Sequence, residues 1–234
     1  EINNSAAIAS GGAQGFTITG NTIGFSSAAG TGTYTLTGST GKFAGIFYAG
    51  PDGGTPTTIS TNTIAALSLT GVTSGGTSTS GPFIAILASN GAVTTNGNLI
   101  GSQGASGPLV FATDTATSTD VYGIFNFGFD HWTANGNQLG GITVSNAGTA
   151  TTIVYLLRAN TSTSKTFTAD ANVIGGTVVD SIRNNSTAAG SQLIGIATAN
   201  AAATFTSNTV RNLTASGGTG TANAASAIGM LLTA

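Results

Sequence analysis

Apolar and polar positions alternate along this chain in short runs, and the runs return at a near-constant interval. The clearest, Phe16-Thr17-Ile18-Thr19-Gly20-Asn21-Thr22-Ile23, recurs five more times, around Asn62, Asn98, Asn137, Asn172 and Asn208, at separations of 41, 36, 39, 35 and 36 residues. Threonine stands four places before every one of these asparagines: Thr17, Thr58, Thr94, Thr133, Thr168 and Thr204. An aliphatic residue stands two places after each: Ile23, Ile64, Ile100, Leu139, Ile174 and Val210. The columns three and five before the asparagine lean apolar, the latter holding Phe16, Thr57, Val93, Trp132, Phe167 and Ala203. Apolar columns interleaved with polar ones are the period-2 pattern of a strand with one buried face. A period of 20–50 residues built on one such unit predicts a solenoid.

A second element lies between the asparagines, a small residue followed by an aliphatic one: Ala7-Ile8, Gly45-Ile46, Ala85-Ile86, Gly123-Ile124, Tyr155-Leu156, Gly195-Ile196 and Gly229-Met230. The spacing varies in tracts rich in Gly, Ser, Thr and Ala (70–81, 101–108 and 212–223), which read as loops, since a longer exposed loop costs little closure entropy. The fold expected is a right-handed parallel β-helix, one domain over residues 1–234, with about six coils of roughly 37 residues. Each coil would hold three segments: the Gly-Ile strand, the strand ending at the Asn turn, and a third after it such as 65–70 or 141–145. Asn tolerates the left-handed conformation of a sharp turn. The six asparagines are therefore expected to sit in that turn and stack their amides inward from coil to coil.

Composition narrows the function classes. Five Lys/Arg and seven Asp/Glu leave a net charge of −2 and no basic stripe for nucleic acid or an anionic membrane. Thirty-six glycines and four prolines suit short strands and tight turns rather than helices. There is no cysteine, hence no disulfide or thiolate metal site, and no apolar run of about 18 residues to span a bilayer. A chain opening on Glu1 reads as processed or as a piece of a longer one.

The pattern Ile59-x-x-Asn62-x-Ile64 followed by Ala85-Ile86 resembles the repeat of right-handed parallel β-helix proteins. Its Thr/Gly/Ser-rich form resembles the very large secreted or surface β-strand-repeat, adhesin-like proteins of bacteria. That resemblance implies an extracellular or cell-surface protein, structural or adhesive, without enzymatic activity or cofactor. The same coil also carries polysaccharide-cleaving enzymes and phage tailspikes, so a carbohydrate-binding or carbohydrate-cleaving β-helix is the alternative.

For that alternative the densest chemistry is Asp120, Asp130, His131 and Trp132, an indole for stacking with carboxylates and an imidazole for acid and base. Against it, Trp132 falls in an apolar column beside Phe167, and Asp130 shares its column with Lys165, which offers an ion pair between rungs. The sole histidine makes no transition-metal site. The all-Thr column, as an outward flat face, raises ice binding, but the neighbouring column is mixed.

Two surfaces for self-association are expected. Neither end carries a capping helix: Ala6-Ala7-Ile8 and Ile228-Gly229-Met230-Leu231-Leu232 both begin a Gly-Ile strand, and open strand edges invite pairing, so the chain is expected to be a segment of a longer solenoid or a protomer that stacks head to tail. In the Gly-Ile strands both faces read apolar. Strict alternation sends Ala44, Ile84, Tyr122, Val154, Ile194 and Ile228 inward with the aliphatic. An outward strip remains, of Phe43, Phe47, Phe83, Leu87, Val121, Phe125, Ile153, Leu157, Leu193 and Leu231; its cover is either the chain's own Gly/Ser/Thr loops, which hold few large apolar residues, or a second copy packed side by side, and the second is expected.

Overall fold

The structure, a computed structural model of the 234-residue chain, is described over residues 2–4, 14–27, 29–38, 40, 42–105, 108–128, 130–160, 165–199, 202–217 and 226–233. Among these, 25 short strands and one 3-10 turn, Ser78–Ser80, form an all-β parallel solenoid. Strands recur in fours, giving one seven-stranded sheet (A) and three six-stranded sheets (B, C and D), every pairing parallel. One central coil runs Phe83–Ser89 in sheet A, Val93–Asn96 in B, Leu99–Gly101 in C and Leu109–Thr113 in D. There are thus four segments per coil rather than three, because the aliphatic residue after the asparagine opens a short sheet of its own. The loop tracts are shorter than expected: residue 70 lies in Leu67–Val72, and 212–223 contains the strand Leu213–Ala215.

The asparagine corner shows why the break is sharp. The left-handed residue is not the asparagine but the one before it in all six coils: Gly20, Thr61, Gly97, Gly136, Ala171 and Ser207, with φ between 51° and 69°. That turn aims the asparagine side chain into the solenoid, where Asn62, Asn98, Asn137 and Asn172 are fully buried. Each donates its backbone N–H and one Nδ2 proton to the Oδ1 of the next coil's asparagine, at 2.8–3.1 Å. The other Nδ2 proton goes back to a carbonyl of the preceding coil, as from Asn98 to Ile59 O at 2.8 Å. None of these four amides is left unpaired, which is the condition for burying one. A non-glycine residue held left-handed costs about 1–2 kcal/mol, most for a β-branched side chain. Thr61→Gly is therefore expected to raise stability by about 1 kcal/mol, after the entropy glycine gains in the unfolded chain. A lower denaturation midpoint for that variant would show that Thr61 earns its place by another contact.

Sheet A departs from strict alternation. Phe83, Val121, Val154 and Leu193 belong to the main core, as do Ile46, Ile86, Ile124, Leu157 and Ile196. Ile84, Tyr122, Tyr155 and Ile194, together with Leu87, Phe125 and Ala197, form a separate cluster on the outer face. Two residues instead of one thus separate outward positions at Gly45, Gly123 and Gly195. An added Cβ at these glycines would lie 2.4–2.9 Å from the Ile64, Leu139 and Val210 side chains of sheet C. The same break, repeated at Gly45, Ala85, Gly123, Leu156 and Gly195, reverses the face of everything before it; the residue there is small in every coil but the fifth, where the Leu156 side chain is buried in the core. The Ala44–Ile84–Tyr122 column consequently faces out, not in. Coil five is also shifted by one: Leu157, not Leu156, lies opposite Ile124 and Ile196, so Val154 faces in and Arg158 faces out. At the N-terminal end Ile2 takes the register of Ile46, and the expected Ala7-Ile8 element lies outside the described residues.

Candidate functional site

The residues grouped by sequence as a sugar site are separated. Trp132 is 1 % exposed, stacked on Phe167 at 4.6 Å, and donates its indole N–H to Thr95 Oγ1 at 3.1 Å. It is core, not a platform. Asp120 sits at the start of strand Thr119–Asn126 and Asp130 beyond its end, about 20 Å apart at the usual rise of a strand. Asp120 accepts from the Tyr122 hydroxyl at 2.7 Å and from the Ser78 N–H at 3.1 Å. Burial first, then the charge of Asp120, pushes the Tyr122 phenol far above its ordinary range. Among the described residues no three of His, Asp and Glu gather as a metal ion would need.

Asp130 is a structural anchor. Although 1 % exposed, its carboxylate accepts from Gly53 N–H at 2.5 Å and His131 N–H at 2.8 Å, and pairs with Lys165 Nζ at 3.2 Å. It thereby ties together segments of three coils. Burial raises its pKa, but the hydrogen bonds from Gly53 and His131 and the Lys165 ammonium outweigh that and hold it below the usual carboxylate value. A depressed folded-state pKa contributes stability that is complete above the unfolded value, near 4, and lost as pH falls through the folded one. The melting temperature is therefore expected to fall on acidification below about pH 4, and Asp130→Asn should flatten that fall. Parallel pH profiles for the two proteins would contradict it. His131 is exposed, and its Nδ1 accepts from the Thr166 N–H at 3.1 Å, which places the neutral ring's proton on Nε2.

The expected lateral strip is divided. Phe43, Phe83, Val121, Leu157 and Leu193 face the core, with Phe43 stacked on Phe83 at 5.3 Å. Phe47, Leu87, Phe125, Ile153 and Leu231 do face out. Over the middle coils, however, that outer face is closed within the chain. Tyr122 and Ile194 are fully buried, Phe125 is 1 % exposed and Ile84 2 %. Ser78–Ser80 and Gly81 lie against Asp120 and Tyr122, and Phe127 tilts over Phe125 at 5.6 Å. The aromatic residues close the rest by stacking, Tyr122 on Phe125 at 4.2 Å and on Tyr155 at 5.4 Å. A strip open along the whole rod, as the sequence implied, is absent from the described residues.

The two ends are different. At one, Met230 and Leu232 are 42 % and 58 % exposed, and Phe205, Val210 and Leu213 only partly covered. At the other, Ile18, Ile23 and Leu36 are partly covered. The asparagine ladder also has a direction. Asn208 accepts twice from Asn172 and gives one amide proton to Ala169 O. Its backbone N–H and second amide proton have no acceptor among the described residues. Asn21 donates to Asn62, and its own Oδ1 receives nothing among the described residues. One end thus presents donors and the other an acceptor, in matching register.

Sheet B carries the all-Thr column outward in unbroken register, beside a mixed column of Thr19, Ser60, Asn96, Asn135, Asp170 and Thr206. A second buried polar corner, between sheets D and A, escaped the sequence reading. Asn146 accepts from Thr115 and Gly148 N–H and donates to Ala150 O, and Asn184 accepts from Ser186 N–H and donates to Thr152 and Gln192 carbonyls. Its sequence signal is Asn-x-Gly or Asn-x-Ser at a strand end, the local turn an asparagine side chain makes with the N–H two residues on.

No helix among the described residues is long and apolar enough to cross a membrane. No protein-family model, curated protein or solved structure matches the chain.

Proposed function

We propose that this chain is a non-catalytic structural element, a β-solenoid segment that stacks end to end into a rod or fibre at a bacterial surface. The observation that carries the reading is the pair of complementary ends. Exposed core cross-sections, strand edges unpaired among the described residues and an asparagine ladder with donors at one end and an acceptor at the other fit continuation of the solenoid, by further coils or by head-to-tail joining of copies. The surface setting and adhesive role rest on the likeness of its Thr/Gly/Ser-rich coil to bacterial surface repeats. Lateral association through sheet A has no open strip to use over the middle coils, where the outer face is closed within the chain.

Sedimentation velocity over a concentration series tests the reading. Wild-type chain should form species that lengthen with concentration, seen as rods by electron microscopy. Met230→Lys combined with Leu232→Lys should leave monomers with unchanged circular dichroism. A wild-type chain that stays monomeric at high concentration, with both end coils protected from hydrogen exchange, would overturn it.

A further inference from the structure

The outer face of sheet A is closed over the middle coils but not beside them. Over the strands Phe43–Ala49 and Phe83–Ser89 that face carries a groove of about 420 Å³, within the usual size of small-molecule sites. Its floor is apolar. Ala44 stands beside Ile84 and Phe47 beside Leu87 in the strand register, and all four line the groove. Ile84 and Leu87 belong to the packed outer cluster, whereas Phe47 is only partly covered. The three residues from the first pair to the second span about 10 Å at the usual rise of a strand.

The two ends of the groove differ. Lys42 and Thr79 reach it where the strands begin, and Lys42 Nζ donates to Ser80 O at 3.1 Å. That bond uses one of the three ammonium protons and holds the charge beside the Ser78–Ser80 turn. No carboxylate pairs with Lys42 among the described residues, where the ion pairs are Lys165–Asp130 and Arg183–Asp180. Ser89 and Phe127 border the groove where the strands end, and Phe127 tilts over Phe125 at 5.6 Å, walling the groove off from the stacked aromatics of the middle coils. A cation at one end of an elongated apolar floor matches a single-chain amphiphile with an anionic head. One ammonium balances the single charge of a carboxylate, whereas a phosphomonoester carries nearly two.

We propose that this groove binds a free medium-chain fatty acid, its carboxylate on Lys42 and its chain laid along Ala44, Ile84, Phe47 and Leu87. The groove lies on the flank of the solenoid, so the inference does not depend on how the ends join.

The test is calorimetric titration of the whole chain at fixed ionic strength with butyrate, hexanoate, octanoate and the neutral octanol. Octanoate should bind saturably, and affinity should rise roughly two- to fourfold with each methylene along the acid series. Octanol should bind about two- to fivefold more weakly than octanoate, the contribution of an exposed charge, and Lys42→Gln should erase that difference. Ala44→Phe, which fills the groove from a half-buried outward position, should abolish binding of acid and alcohol alike with circular dichroism unchanged. Lys42→Gln, at an exposed position, keeps the proposal testable if Ala44→Phe fails to fold. Octanol binding as tightly as octanoate would overturn the proposal, and so would an affinity independent of chain length. The absence of saturation up to high millimolar octanoate, or undiminished octanoate affinity in either folded variant, would do the same.

Discussion

Asn137→Ala is expected to destabilise the fold on the order of 4 kcal/mol, far more than one surface polar group removed. The side chain takes two bonds from Asn98 and gives one each to Asn172 Oδ1 and Thr95 O. Removing it strands the Asn98 N–H and amide proton in a site without solvent access, and each buried group left unpaired costs about 1–3 kcal/mol. Asn137→Asp should be no better, since a carboxylate accepts but does not donate, and the buried charge has no cation beside it. The end position is the control: Asn21 is half exposed and, among the described residues, donates at its own coil and the next, so Asn21→Ala should cost about 1 kcal/mol. Urea denaturation of the three variants separates these cases. An interior loss no larger than that at Asn21 would mean that the ladder follows the fold without holding it.

Trp132→Ala should cost about 3–5 kcal/mol, the usual range for emptying an aromatic site in a closed core. The indole stacks on Phe167 and its N–H meets Thr95 Oγ1. Trp132→Phe should lose only about 1–2 kcal/mol, keeping most of the ring contact and giving up the hydrogen bond. The same residue discriminates between the structural and the carbohydrate readings. Its fluorescence, the signal of the chain's single tryptophan, should be that of a buried indole and unchanged by oligosaccharide. A solvent-exposed spectrum that shifts on adding sugar would favour the carbohydrate reading.

Much of this was legible along the chain, and the reason is repetition. When one unit is stacked six times, each column is sampled six times, and inward-facing Ile64, Ile100, Leu139 and Ile174 or outward-facing threonines stand out without any neighbour being known. What stayed hidden was local. The left-handed residue before each asparagine is Gly, Thr, Ala or Ser in different coils, so no single residue type marks it. The polar corner of Asn146 and Asn184 involves two coils only, too few to form a column.

The sequence by itself determined the parallel solenoid, its coil length to within a residue or two, and the inward asparagine stack, because each follows from spacing and period; it favoured a core place for Trp132 over a sugar platform without deciding it. Only the tertiary structure decided the faces of sheet A. Alternation predicts facing as long as every residue advances the strand by one step. At Gly45, Gly123 and Gly195 the kink adds a residue to the inward side, where a Cβ would collide with the side chains of sheet C. Ahead of that point parity is reversed, which turned Phe43, Phe83, Val121 and Leu193 into core residues. The strand register did the same in coil five, where pairing with Ile124 and Ile196 selects Leu157 over Leu156 and brings Arg158 to the outer face. Two adjacent leucines offer two registers of nearly equal hydrophobicity. The choice between them is made by hydrogen bonds and packing to the coils on either side, which local sequence does not contain.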